Sequence, residues 1–182
     1  MSEAPEQDAA PGGDARRLRA KALMDSGRVL SNSGRFEEAL SLIEQAIAAD
    51  PSYDRAPLAK AFVLAKMGRL DDALAITDEF LSGHPDNAYA HTTRGTCLIE
   101  ASRFPEAEEE FRSGVRLGGD DYIHAYNYAC FLAQQGREDE TREMLGRALE
   151  LGPHMNTRAA TDVDFERYRD AEWFQDLVAF KR

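Results

Sequence analysis

The chain has 182 residues, of which 43% are hydrophobic and 30% charged, and its formal net charge is −11. This acidic balance argues against nucleic acid or an anionic membrane as the main ligand, because both repel a net-negative surface. No apolar run reaches the ~18 residues that a membrane-spanning helix needs.

In chain order, residues 1–15 (MSEAPEQDAAPGGDA) combine acids, proline, glycine and alanine with nothing apolar enough to pack, and are expected to form a disordered acidic leader. The leader has neither a basic n-region nor an apolar h-region, so no secretory signal is expected. Cys97 and Cys130 are accordingly expected to be reduced thiols in a cytoplasmic protein.

From residue 16 the pattern changes. Gly34, Gly68, Ser102 and Gly136 are spaced 34 residues apart, as are Pro51, Pro85, Gly119 and Pro153. This period divides the chain into units 20–53, 54–87, 88–121 and 122–155. One column reads Gly27, Ala61, Gly95, Ala129, and a second reads Leu30, Leu64, Leu98, Leu132. Small residues let two helices approach, and the leucines fill the space beside them. A further small column reads Ala39, Ala73, Ala107, Thr141. Each unit thus holds two apolar-periodic stretches split by a Gly-Arg or Ser-Arg step, which predicts a helical hairpin.

The punctuation agrees. Gly34, Gly68 and Gly136 can adopt the left-handed conformation that ends a first helix, and Pro51, Pro85 and Pro153 stop a second one. Asp54 is expected to cap a helix, Pro105 to stand in a first turn, and Gly118-Gly119-Asp120-Asp121 to form a turn with a cap.

These columns resemble the tetratricopeptide repeat (TPR) family over 20–155. The resemblance rests on Gly27/Ala61/Gly95/Ala129, Leu30/Leu64/Leu98/Leu132, Gly34/Gly68/Gly136, Ala39/Ala73/Ala107, Ala46/Ala148 and Pro51/Pro85/Pro153. The chain departs from the family at Phe80 and Gly114, which replace the second-helix alanine, and at Leu23, Pro57, His91 and Ala125, where an aromatic is usual. The resemblance implies an all-α, right-handed superhelical solenoid of antiparallel helix hairpins, with first helices inside and second helices outside.

Residues 156–182 leave the period. Thr161-Asp162 and Asp170 resemble caps, and Phe165, Tyr168, Trp173, Phe174, Leu177, Val178 and Phe180 supply apolar faces. A stack of hairpins exposes an apolar end unless something covers it, so this segment is expected to form capping helices. The alternative is that Trp173 and Phe174 dock a partner.

The outer segments 35–50, 69–84, 103–118 and 137–152 hold 17 Asp and Glu against 8 Arg, which reads as a solvated acidic face. If the stack is TPR-like, the inner wall carries Lys21, Arg28, Arg55 and Lys66 against Asp25 and Glu100. The candidate peptide-binding residues are Arg28, Arg55, Phe62, Lys66, Tyr89, Thr93, Tyr126 and Asn127. The cations suit a carboxylate-bearing peptide, the aromatic rings an apolar anchor, and Asn127 the backbone of an extended segment. A family subset grips acidic chaperone tails with inward Lys, Asn and Arg. The comparable places here hold Met24, Arg28, Ala59, Tyr89 and Thr93, so no such clamp is expected.

No phosphate loop, nucleophile elbow or metal-ligand spacing is present, and His91 and His124 would supply at most half of a zinc site. The expectation is a non-catalytic, cofactor-free and metal-free adaptor that binds a peptide segment of a partner in its concave groove. It is expected to be monomeric and to bind neither nucleic acid nor membrane. Two alternatives are a dedicated secretion-type chaperone and an architectural subunit bound through its convex face or tail. The Ala- and Arg-rich composition suggests a bacterial source.

Overall fold

A computed structural model describes residues 13–179, and among these it contains α-helices and 3₁₀ turns but no strand. The chain divides between Arg69 and Leu70 into two compact units.

Unit one holds α1 (Gly13–Asn32), α2 (Phe36–Ala49) and α3 (Arg55–Lys66). Residues 13–15 of the expected leader belong to α1, while 1–12 lie outside the described residues. A β-carbon on Gly27 would stand 3.0 Å from Ile43 Cγ1 and 3.2 Å from the Ala39 carbonyl, so the small column sets how closely α1 and α2 approach. Ala39, Ile43 and Val63 form one buried cluster, and Ala20, Ala46, Tyr53 and Ala56 form another.

Unit two holds α4 (Leu70–Gly83), α5 (Ala88–Glu100), α6 (Phe104–Leu117), α7 (Tyr122–Gln134) and α8 (Glu138–Leu151). The chain then runs through a 3₁₀ turn (Pro153–Met155), α9 (Asn156–Thr161), a second 3₁₀ segment (Val163–Tyr168) and α10 (Glu172–Val178). Phe165 (0% exposed), Phe174 (2%) and Tyr168 (6%) join Ala125, Ala129, Leu145 and Ala148 in one core. Full burial of each such ring contributes roughly 1.5–3 kcal/mol. Phe180 lies outside the described residues.

The 34-residue period has a local cause that recurs at each first-helix end. The N–H groups of Arg35, Arg69, Arg103 and Arg137 donate to the carbonyls of Leu30, Leu64, Leu98 and Leu132 at 2.9–3.0 Å. This closure requires a left-handed residue just before each arginine, and Gly34, Gly68 and Gly136 have φ of 75°, 78° and 72°. Ser102 takes the same conformation without being glycine, at φ 58°. The arginine that follows stands at the N-cap of α2, α6 and α8. Its guanidinium grips the glutamate three residues on, in the pairs Arg35–Glu38, Arg103–Glu106 and Arg137–Glu140, with Nε contacts of 2.6–2.7 Å. An anion in a helix's first turn also meets the positive end of its dipole.

Side-chain caps form at two of the expected places, Asp121 and Asp162, but not at Asp54 or Asp170. Asn87, Asp121 and Asp162 accept backbone N–H bonds at their helix starts. Asp54 precedes α3 but makes no such bond, because its own backbone is already helical (φ −50°, ψ −28°). Ala171, not Asp170, precedes α10.

Candidate functional site

In unit one, helical spacing sets Arg55, Ala59, Phe62 and Lys66 in one stripe along α3. Arg55 and Lys66 are exposed and Phe62 is half-buried. The Lys66 ammonium stands 5.7 Å from the Phe62 ring centroid. On α1, Lys21, Asp25, Arg28 and Asn32 form an equivalent stripe, and Arg28 lies 3.9 Å from the Asp25 carboxylate. Near the start of α1, the Arg17 guanidinium sits 5.2 Å from the Tyr53 ring centroid. A bond from the Ser52 hydroxyl holds the Asp50 carboxyl below its usual range, aided by the Ser52 N–H and the charges of Arg17 and Arg16.

In unit two, the residues expected to face a ligand behave differently. The Tyr89 hydroxyl donates to Asp121 Oδ2 at 2.6 Å, and its ring meets His124 edge-on at 4.8 Å. Thr93 and Asn127 are half-buried on α5 and α7. Tyr126 is only 1% exposed. Its ring packs edge-to-face on Phe165 at 5.8 Å, and its hydroxyl donates to Asp162 Oδ2 at 2.8 Å. Burial, then the neighbouring Cys130 and Asp162, push this phenol far above its ordinary range.

The segment after α9 fastens along α7 through further bonds. Gln134 Nε2 donates to Asp164 Oδ1 at 2.9 Å, and Arg167 Nη1 donates to the Ala133 carbonyl at 3.3 Å. The Cys130 sulfur and carboxylate oxygens of Asp162 and Asp164 lie within 4.8 Å of one another. Burial and the two carboxylates raise the Cys130 thiol well above its usual range, which keeps it protonated. Asp162 already accepts from Tyr126 and from the Asp164 N–H, so this cluster works as a fastening for the segment.

His91 and His124 do not converge. His91 bridges Glu110 (2.7 Å) and the Pro85 carbonyl (2.8 Å), whereas buried His124 meets the Thr92 hydroxyl at 2.8 Å. Glu106, Glu108 and Glu110 of the acidic run of α6 are bound into ion pairs. Glu108 accepts from Arg137 (2.7 Å), Arg112 (2.6 Å) and Tyr128 (3.2 Å), and Arg137 first, then Arg112, holds its carboxyl down at about 2. A carboxylate held this far down stays ionised at neutral pH, the wrong direction for a general acid.

Paired helices closed by an identical turn every 34 residues are one half of the identification. The other half is direct: the family model described as Tetratricopeptide repeat matches residues 32–94, and a second model of that description matches 92–156. The chain belongs to the tetratricopeptide repeat family. No curated protein matches the sequence. Among solved structures, the thermophilic TPR protein TTC0263 of Thermus thermophilus aligns at TM-score 0.65 and 19% identity, over 87% of this chain and 86% of that one. YrrB, a TPR protein with an unusual peptide-binding site, aligns at TM-score 0.52 and 19% identity, over 93% and 90% of the two chains. The first TPR of Spaghetti (RPAP3), bound to the HSP90 peptide SRMEEVD, aligns at TM-score 0.50 and 15% identity, over 66% of this chain and 95% of that one.

Arg28, Arg55, Phe62 and Lys66 gather in unit one on neighbouring α1 and α3. Tyr126 is a correction: repeat position alone places it on an inner face, but the chain's own residues 162–165 cover it. Tyr89 is engaged by Asp121 and His124. Arg17 escaped the sequence reading because it precedes the first repeat unit, although its spacing from Lys21 was available as a signal.

Proposed function

We propose that the chain is a non-catalytic, cytoplasmic protein-interaction module that holds a peptide segment of a partner on its inner helices. The observation that carries this reading is the contrast on first helices. The α3 stripe Arg55–Phe62–Lys66 remains at the surface, while Tyr126 on α7 is consumed by the chain's own tail. The proposed contacts are therefore those of unit one. Peptide binding by the fold neighbours YrrB and Spaghetti supports this use of the fold. An acidic chaperone tail is not the proposed ligand. Among Met24, Arg28, Ala59, Tyr89 and Thr93 only Arg28 is cationic, and Tyr89 already donates to Asp121.

The test is a paired affinity capture from native lysate, read by mass spectrometry, with wild type beside Arg28→Glu/Arg55→Glu/Lys66→Glu. Far-UV circular dichroism checks that both are folded. The expected result is a partner retained by wild type and lost by the variant. A partner retained equally by both would move binding to the outer helices or the tail and sink this reading.

A further inference from the structure

Charge divides the chain along the boundary between its units. Residues 13–69 carry 10 Lys and Arg against 7 Asp and Glu, whereas residues 70–179 carry 10 against 23. The surface of unit two therefore attracts cations, and one part of it is concave.

Where α8, the 3₁₀ turn after it, α9 and α10 meet, they enclose a cleft of about 420 Å³. That lies within the roughly 300–1,000 Å³ of sites that hold a compact ligand. Leu149, Pro153 and Leu177 give the cleft apolar walls, and exposed Glu150 also lines it. A more open hollow of about 500 Å³ adjoins it, sharing Gly146, Glu150 and Leu177. Asp139 and Glu143 border that hollow with Arg142 and Arg147. Counting Glu150, three acids stand against two cations, so the rim keeps a net negative charge.

Two features mark the cleft as a site rather than a packing gap. The first is Gly146, inside α8, where glycine weakens a helix relative to alanine. At Gly27 and Gly95 packing demands glycine, since a β-carbon would stand 3.0 Å from Ile43 and 3.1 Å from Phe111. At Gly146 the nearest atom is Leu177 Cδ2 at 3.8 Å, an ordinary contact, so alanine would fit. Helix packing does not require this glycine, and its missing side chain keeps the cleft open. The second feature is Asn156, which lines the cleft and is 8% exposed. Its Nδ2 donates to the Ala179 carbonyl at 3.5 Å, while its Oδ1 is buried without a hydrogen-bond partner. A buried acceptor left unpaired carries a cost that a donor entering the cleft would remove.

We infer that this cleft is a second docking site, which takes a tryptophan side chain flanked by basic residues of a partner protein. Indole combines an apolar ring for Leu149, Pro153 and Leu177 with one N–H for Asn156 Oδ1, a donor that leucine and phenylalanine lack. The flanking cations meet Glu150 and the acidic rim. The site shares no residue with the unit-one face proposed above, so the two readings stand or fall separately.

The experiment is an amide NMR titration of the full chain with three capped peptides: Lys-Trp-Lys, Lys-naphthylalanine-Lys and Glu-Trp-Glu. The first is expected to shift the amides of Gly146 and α10 and the side-chain NH₂ of Asn156. The naphthyl peptide, with a similar ring but no donor, should bind about five- to tenfold more weakly. The acidic peptide should lose about tenfold or more, a difference that shrinks as salt rises. Gly146→Leu should weaken Lys-Trp-Lys about tenfold by filling the cleft. Gly146→Ala should weaken it less while raising Tm, which separates lost binding from lost folding. No shift at Gly146 or Asn156 with any peptide would overturn the site and leave the unit-one reading untouched. Equal binding of the tryptophan and naphthyl peptides would overturn the role of Asn156, and equal binding of the lysine and glutamate peptides would overturn the basic flank. Shifts that appear only in a Phe180→Ala variant would overturn the partner and give the cleft to the chain's own end.

Discussion

The first and last hairpins share the same columns but differ in how they are finished. Leu30 and Leu132 occupy one repeat position, yet Leu30 is half-buried and Leu132 is 0% exposed. On α1, Leu18 and Val29 stand 70% and 61% exposed. On α7, residues of the tail cover Tyr126 and share its core through Phe165 and Phe174. A column residue is therefore as buried as what packs beside it allows. The repeat specifies the hairpin, and the flanking segment decides whether that hairpin presents a surface or closes one.

The strongest way to break this comparison is Phe165→Ala, which should destabilise unit two by about 3–5 kcal/mol by leaving a cavity under Tyr126. Hydrogen exchange should then show α7 amides losing protection while those of α1 and α2 keep theirs. Equal loss in both places would mean that the units do not unfold separately. Next in size, Leu132→Ala should cost about 2–5 kcal/mol in denaturant unfolding, while Leu30→Ala, at a half-buried site, should cost less than about 2 kcal/mol. Matching costs would refute the idea that neighbours set the value of the column.

A smaller effect separates the units by pH. The folded-state carboxyl of Glu108 titrates at about 2 rather than 4.5. Its contribution is therefore complete above pH ~4.5 and is lost as pH falls from there toward ~2. Glu108→Gln should cost about 1–2 kcal/mol at neutral pH and should flatten that acid limb in urea titrations. The smallest effect is a gain. Ser102 holds a φ of 58° where the other three repeats use glycine, so Ser102→Gly should stabilise unit two by about 0.5–1 kcal/mol, readable as a rise in Tm. An unchanged or lower Tm would show that the serine carries no strain there.

The hairpins were legible because each column repeats a local cause: a left-handed residue, an arginine that closes onto a leucine carbonyl, and a small residue opposite a close neighbour. The burial of Tyr126 was not legible, since its partner Asp162 lies 36 residues away in a segment without a period. The start of α1 was hidden for a different reason. Gly13 and Asp14 read as leader, yet they form the first turn of a helix that carries Arg17 onto Tyr53. The acidic balance of the second helices was legible in the sequence, whereas the division of charge between the units appears only once the chain is split at Arg69.

The two thiols turn this molecule into its own clock. Cys97 is fully buried in α5, and Cys130 is held protonated beneath the Asp162–Asp164 segment. In native buffer a thiol-selective reagent should therefore label Cys130 at the frequency with which the tail lifts, and Cys97 only when the third hairpin opens. The ratio of the two labelling rates compares how readily the tail lifts with how readily the third hairpin opens, without any engineered cysteine.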